Sequence, residues 1–466
     1  MSTSTTPSTA DDLRTRMTGR VLTAGDEGYD AARVVVLGGV DPHPAVIARP
    51  VDDADVAAVV SYARDNGLAL AVRSGGHSGA AYGTVEDGIV LDLRDLARID
   101  IDVDGRTAWV ESGVTAGDFT VEAAKHGLAV GFGDTGSVGL GGLVTGGGVG
   151  YLVRKHGLTI DNLLAADVVT ADGQVRRVDA ENEPELFWAI RGGGGNVGVV
   201  TRFRFRLAEL PQIVGGMLVL PATAETVAGF LALAEEAPDE LSTIANVMNC
   251  PPLPFVDESV HGSIVIMAML CWAGDPDRGV EEGTAAMAPF VGLAEPLANM
   301  LRPMSYPEMY PPEDPDYRPT AVARTMFLDG VDVGTAKAVL DTLESSDAML
   351  RAVQLRVLGG AAARVAEDET AYAHRSAKVM ANVAAFYDGP DDRAAKQRWV
   401  EETSALLHTG DDRAYVNFLA DEGEERVRAA YPGATWERLA AVKATYDPQN
   451  LFRRNQNVLP RQRSAG

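Results

Sequence analysis

Residues 71–83, "AVRSGGHSGAAYG", set one histidine, His77, and one serine, Ser78, among small residues directly after an apolar stretch. Two chemistries call for that arrangement. Ser78 in Gly76-His77-Ser78-Gly79-Ala80 is one residue short of the G-x-S-x-G elbow that carries a hydrolase nucleophile. Alternatively, the loop backbone cradles an anion while His77 touches a reactive group. Two further glycine clusters follow, "GSVGLGGLVTGGGVGYL" over 136–152 and "RGGGGNVGVV" over 191–200. Each lets the backbone approach a ligand and turn N–H groups toward it. No cluster is followed by the Gly-Lys-Ser/Thr of a phosphate-binding P-loop, and "GLGGLV" and "GGGVGY" do not complete a dinucleotide fingerprint. The other histidines are scattered singly, with no H-E-x-x-H, so no metal site is expected.

The elements around His77 decide between the two chemistries. "AVIAR" reads as a strand. A helix N-capped by Asp53 follows, with Val56, Val59, Val60 and Ala63 on one face and Gly67 closing it. "LALAVRS" is then a buried strand that delivers the glycine-histidine loop. Beyond the loop, "EDG" signals a turn into "GIVLDL", another strand. A nucleophile elbow turns directly into a helix, so Ser78 lacks its context.

Further along, Asp172-Gly173 marks a hairpin between "LLAADVVT" and "QVRRVD". "NEPELFWAIR" is a short helix entered at proline. "VVTRFRFRL" alternates, with Thr201, Phe203, Phe205 and Leu207 on one face and Arg202, Arg204 and Arg206 on the other, as in a half-buried strand. After Pro211 the glycine clusters stop. Amphipathic helices such as "TAETVAGFLALAEEA" then alternate with β-rich runs such as "GSIVIMAML", marking a separate α+β domain to about residue 410. The last helix stops at Asp447-Pro448.

At 466 residues the chain has room for two or three domains. Its formal net charge of −25 argues against nucleic acid or an anionic membrane surface as partner. Cys250 and Cys271 show no zinc spacing and read as buried, inert thiols. The polar start "MSTSTTPSTADD" has no basic region followed by an apolar run, and residues 1–13 are expected to be a disordered tail. The longest apolar run, "SIVIMAMLCWAG", is about half of the ~20 residues a membrane span needs. A cytoplasmic protein is expected.

At "VRSGGHS" the chain resembles the flavin-attachment loop of the covalent FAD oxidases of the vanillyl-alcohol oxidase superfamily, in the branch of berberine bridge enzyme and hydroxynicotine oxidase. The likeness continues through "GGGVGYLVRKHGLTIDNLLAADVVTADG", "ELFWAIRGGGGNVGVVT" and "YDPQNLFRRNQN". It covers about half of the chain strongly, at both ends. It implies an α+β fold: a two-lobed, PCMH-type FAD-binding domain formed by residues 14–210 and 411–466. A substrate domain on an antiparallel sheet, residues 211–410, would be inserted between them.

The resemblance implies that Arg73, Ser74, Gly75, Gly76, His77 and Ser78 wrap the FAD pyrophosphate by their backbone. It further implies that His77 carries the flavin 8α-methyl covalently, and a neutral imidazole is a competent nucleophile for that. Thr135, Gly136, Ser137, Gly139, Gly142 and Gly146 would line the flavin and its phosphates. Val199 and Val200 would meet the adenine side, and Asn455 and Asn457 would close over the isoalloxazine or ribityl. Two departures stand out. Thr135 occupies the place of the cysteine that gives many relatives a second link, so a single link through His77 is expected. Leu143 replaces a histidine that faces the ribityl in several relatives.

The activity so implied is hydride transfer from an alcohol or amine carbon of a small organic molecule to flavin N5, with oxygen as acceptor and hydrogen peroxide as product. A base must take a proton from the adjacent O–H or N–H. Tyr415 in "AYVNF" is the candidate base and Asn417 its hydrogen-bonding partner, while Phe418 replaces a second tyrosine. Lowering a phenol from its usual value of about 10 takes a cation or a strong donor. The sequence offers His374 or Arg375 without selecting either. The alternatives are a flavin dehydrogenase with another acceptor, a flavin-binding protein without turnover, and a serine hydrolase using Ser78. The acidic middle domain hints at an amine or neutral substrate over an anionic one.

Overall fold

A computed structural model describes residues 9–275, 278–408, 410 and 412–462. The strand–helix–strand unit ahead of His77 is present. Its cap is Asp52, not Asp53: the Asp52 carboxylate accepts the Asp55 amide and starts the helix Asp53–Asp65. Val56, Val59, Val60 and Ala63 are fully buried along that helix. Gly67, at φ +64°, makes the left-handed turn that leads to the next strand. Strands Val46–Arg49 and Leu70–Arg73 both run parallel to Ile89–Asp92 between them. Arg20–Leu22 closes one edge antiparallel, giving a four-stranded sheet. The tail expected over residues 1–13 is helical from Thr9 (Thr9–Arg16), where Ala10 and Leu13 pack into the core under this sheet. Residues 1–8 lie outside the described residues.

A second sheet is antiparallel and five-stranded, in the order Ile99–Asp102, Thr107–Glu111, Val199–Arg206, Leu163–Val169, Val175–Asp179. The Asp172-Gly173 turn joins the last two, with Gly173 at φ +81°. Phe203 and Phe205 are buried as the alternation requires, and Phe205 packs with Phe119 and Phe132 at ring separations of 6.3 and 5.9 Å. On the opposite face Arg202 and Arg177 bracket the Asp167 carboxylate and both stack over Trp109 at 4.7 Å.

The middle of the chain builds a third sheet, wholly antiparallel and eight-stranded, from residues 213–386. "SIVIMAML" supplies one of its inner strands, Ile264–Trp272. Helices Ala224–Glu236, Gly279–Val291, Val333–Ser345 and Arg393–Leu407 cover one face, where Val353, Leu355 and Val357 point. Period-two alternation sends Gln354 and Arg356 to the other face. The fold is therefore α+β, with an antiparallel-sheet unit between two stretches that share the glycine loops. Cys250 and Cys271 are both free and buried, and burial pushes the Cys271 thiol up to about 12.

Under the glycine-histidine loop, Asp92 has no exposed side-chain surface and faces three guanidinium groups: Arg94 at 2.8 Å, Arg73 and Arg49 at 3.0 Å. Burial works to raise its carboxyl, but Arg94, Arg73 and Arg49 together outweigh that and hold it down at about 2. A depressed carboxyl stabilises the fold fully above its unfolded value and loses that contribution as pH falls through about 2. Asp92→Asn removes the carboxylate that three arginines share, with Arg49 keeping Asp95 at 3.8 Å, and is expected to cost about 3–5 kcal/mol. Thermal unfolding at neutral pH checks this, and an unchanged midpoint would remove Asp92 as the anchor of the loop.

Candidate active site

Glycine loops from two different sheets meet at the strand end Leu70–Arg73. Gly75 and Gly139 touch backbone to backbone: a Cβ on Gly75 would lie 2.4 Å from the Gly139 amide nitrogen, and one on Gly139 2.1 Å from Ser74 Oγ. Only glycine fits at either position. Ser74 locks the junction, donating to the Ser112 carbonyl at 2.6 Å and accepting the Gly141 amide at 3.3 Å. A cleft of about 400 Å³ runs along these loops. Its wall continues through Gly194 and Gly195, through residues 415–419, and through Asn455 in the C-terminal strip.

The sequence-derived candidates separate into two groups. Arg73, Ser74, Gly75, Gly76, His77, Ser78, Thr135, Gly139, Gly142, Val199, Val200, Asn455, Tyr415 and Asn417 all line this one cleft. The Arg73 guanidinium itself points away, into Asp92 and the Ala32 carbonyl, so only its backbone and stem serve the wall.

Gly136, Ser137, Gly146 and Asn457 stand behind the cleft wall and do not line it. Gly136 packs on Gly117, whose amide donates to its carbonyl at 2.8 Å. Ser137 Oγ sits 3.0 Å from His77 Nε2 and donates to Glu313, so it touches the histidine and not the cavity. Gly146 is small because Asn417 lies against it, with a Cβ there falling 1.9 Å from Oδ1. Asn457 Oδ1 accepts from the buried Lys443 ammonium at 3.2 Å.

The wall suits an elongated ligand carrying phosphates and hydroxyls. A Cβ on Gly142 would meet nothing within 4 Å, so the protein's own packing does not require glycine there and the space is left to a ligand. Asn455 Oδ1 and the Tyr431 hydroxyl are buried without partners, and both residues border the cleft. Unpaired buried acceptors and hydroxyls cost about 1–3 kcal/mol each unless a ligand satisfies them. Both fit the ribityl, ribose or adenine groups of FAD. Among the described residues there is no metal-ligand cluster.

At the part of the cleft where residues 415–418 meet the large sheet, the Tyr415 hydroxyl accepts the Gly148 amide at 3.0 Å and Asn417 Nδ2 at 3.1 Å. Burial pushes this phenol up, while the Gly148 and Asn417 donors and the nearby Arg356 charge pull it down; the net direction is up. Asn417 is fixed in turn by donating to the Leu143 carbonyl at 3.0 Å. The cation near Tyr415 is thus Arg356, from the polar face of strand Leu350–Val357. His374 bonds the Ala430 carbonyl, and Arg375 is paired with Asp161 at 2.7 Å, so neither serves Tyr415. Arg356 donates to Asp134 at 2.7 Å and to the Val149 carbonyl at 3.1 Å, and lies 4.8 Å from the Phe418 ring centre.

Arg356, Asp134, Glu313 and Tyr431 are the members that the sequence reading did not find. Arg356 left a trace, the Gln354/Arg356 alternation against Val353, Leu355 and Val357, but nothing said which sheet face met the cleft. His77 carries an imidazole that burial pushes down, against a smaller upward pull from Glu313, so the ring is neutral at physiological pH.

Comparison with known proteins identifies the family. Residues 44–179 match the FAD binding domain family and residues 414–459 the berberine and berberine-like family. The chain is 33% identical over 459 residues to (R)-6-hydroxynicotine oxidase of Paenarthrobacter nicotinovorans, covering 95% of this chain and 97% of that protein. The crystal structure of 6-hydroxy-D-nicotine oxidase from Arthrobacter nicotinovorans superposes with a TM-score of 0.82 at 31% identity, over 96% of this chain and 98% of that one. Berberine bridge enzyme-like protein 1 of Physcomitrella patens shares the fold, with a TM-score of 0.85 at 22% identity over 98% of this chain and 100% of its own. The glycine-walled cleft, and the match to a hydroxynicotine oxidase over nearly the whole length of both chains, place this protein in the family of FAD-linked oxidoreductases that includes the berberine bridge enzyme-like proteins.

Proposed function

We propose that the chain is an oxidase that removes a hydride from an alcohol or amine carbon of a small organic molecule, with its FAD tethered once, through His77. The observation that carries this is one cleft bounded both by a neutral imidazole among glycines and by a phenol oxygen that accepts two N–H donors. When bound, FAD supplies the hydride acceptor at N5 and passes the electron pair to oxygen, giving hydrogen peroxide. Ser74, Gly75, Gly76, Ser78 and Gly139 hold the pyrophosphate by their backbone. Gly142, Val199, Val200 and Asn455 bound the remainder, with Thr135 beside the flavin offering no thiolate for a second tether. Tyr415 takes the substrate proton, Asn417 and Gly148 holding its oxygen in place. The sheet of residues 213–386 forms the substrate side, and the cytoplasmic location belongs to the same reading, supported by two free, buried thiols.

A serine hydrolase finds less support. Ser78 Oγ accepts the Tyr82 amide at 3.3 Å, and the chain runs on to strand Ile89–Asp92 without a helix.

Two outcomes are expected. Acid precipitation of the purified protein should leave a yellow pellet and a clear supernatant, and His77→Ala should release its colour on the same treatment. A white wild-type pellet would refute the tether. With Tyr415 as base and its phenol raised by burial, the proton-accepting form grows as pH rises. Flavin reduction in stopped flow should therefore accelerate with pH and reach no plateau below about pH 10. Tyr415→Phe should slow it about a hundred-fold or more with FAD still bound. A plateau at neutral pH, or a near-normal rate in the variant, would assign the proton to another group.

A further inference from the structure

His77 is held from outside the glycine loop. Its Nε2 lies 3.0 Å from Ser137 Oγ, and the same hydroxyl is 2.5 Å from Glu313 Oε2. Glu313 Oε1 also accepts the Ser137 amide at 3.0 Å, so the carboxylate grips Ser137 at two atoms. A carboxylate only accepts hydrogen bonds, and a serine hydroxyl has one proton to give. That proton goes to Glu313. Ser137 Oγ must then accept from the histidine, which puts the imidazole proton on Nε2 and the free lone pair on Nδ1. No hydrogen bond to Nδ1 is found among the described residues.

We infer that Glu313 and Ser137 are positioning residues for flavin attachment: they fix the Nε2–H tautomer of His77, direct Nδ1 onto the 8α carbon, and carry away the Nε2 proton. The inference rests on the tethered-flavin reading above. In the step, the Nδ1–C8α bond forms and one 8α C–H bond breaks. The 8α proton leaves to water, its electron pair enters the isoalloxazine, and the reduced ring takes up two protons from water. The Nε2 proton leaves through Ser137 to Glu313, which is exposed and exchanges with water. Oxygen then takes two electrons and two protons from the reduced ring to give hydrogen peroxide, so that histidine, FAD and oxygen become histidyl-FAD and peroxide. Glu313 belongs to the loop after residues Tyr306–Met309, contributed by the large-sheet unit, and Ser137 to the second glycine loop. Attachment thus requires both parts of the molecule to be docked. No other carboxylate is recorded on Ser137 or His77 among the described residues.

The test uses full-length chain prepared without flavin, mixed with FAD under air, with acid-stable flavin measured over time. The wild-type adduct, digested to its flavinyl peptide, should show the Nδ1 linkage by NMR. Glu313→Gln and Ser137→Ala should bind FAD non-covalently yet form acid-stable flavin about a hundred-fold more slowly, with Glu313→Asp restoring part of the rate. An Nε2 linkage in the wild type, or attachment at the wild-type rate in Glu313→Gln, would overturn the inference and leave the tether standing. Absence of any acid-stable flavin in the wild type would overturn both. The linkage is read on the unaltered chain, so it decides the matter even where a variant fails to hold FAD.

Discussion

The site depends on two backbones approaching more closely than side chains allow. At Gly75 and Gly139 the separation leaves no room for a Cβ on either loop, and Ser74 spans the junction with one hydrogen bond in each direction. One loop leaves a parallel sheet, and the other precedes the short helix Leu140–Thr145 beside an antiparallel one. Their contact sets how the two sheets sit on each other, and hence where His77 stands relative to Tyr415. Gly146 applies the same constraint on the substrate side, giving up its volume so that Asn417 can reach both Leu143 and the Tyr415 hydroxyl. At these three positions glycine buys proximity and not left-handed backbone.

Buried cations join segments that lie far apart in sequence. Lys443 Nζ donates to the carbonyls of Asn196 and Phe452 and to Asn457, with Asp447 at 3.3 Å, tying the third glycine loop to the C-terminal strip. Burial lowers that ammonium to about 8, against the upward pull of Asp447. Arg375 grips Asp161 through both of its terminal nitrogens and so binds the middle unit to the FAD lobe. A buried guanidinium or ammonium tolerates few alternative placements, because each lost partner leaves an uncompensated charge. Such nodes specify the docking of the parts more sharply than apolar contact alone.

What was legible in the sequence follows from how local each signal is. The unit ending at Arg73, the Asp172-Gly173 hairpin and the face of Phe203 and Phe205 are written in spacing and turn chemistry over a dozen residues. The cap moved from Asp53 to Asp52 because adjacent aspartates offer the same carboxylate, and only the Asp55 amide selects between them. The glycine-histidine loop was legible because three clusters of small residues after strands exceed what packing needs. For Asn457 and Gly146 a motif position shows a residue type but not its partner, and the structure sets Lys443 against the one and Asn417 against the other. Arg356 and Glu313 were beyond reach since both come from the middle of the chain, where an alternating strand and an exposed loop carry no mark of the cleft they face.

The same middle unit decides what kind of proton acceptor the site can have. Arg356 places a permanent positive charge near the phenol, but Asp134 neutralises much of it at 2.7 Å and Phe418 covers one face of the guanidinium. Burial outweighs the Gly148 and Asn417 donors and the Arg356 charge, and the net shift of Tyr415 is upward. Phenylalanine at 418 puts a ring and not a hydroxyl against Tyr415, at 5.1 Å between ring centres, while Tyr372 packs on its other side at 6.0 Å. Gly148 and Asn417 occupy its oxygen as donors, so the O–H bond has only the cleft to turn toward. A substrate that displaces water from the cleft and turns a lone pair of its oxygen or nitrogen toward that O–H gives it an acceptor that the described residues do not supply.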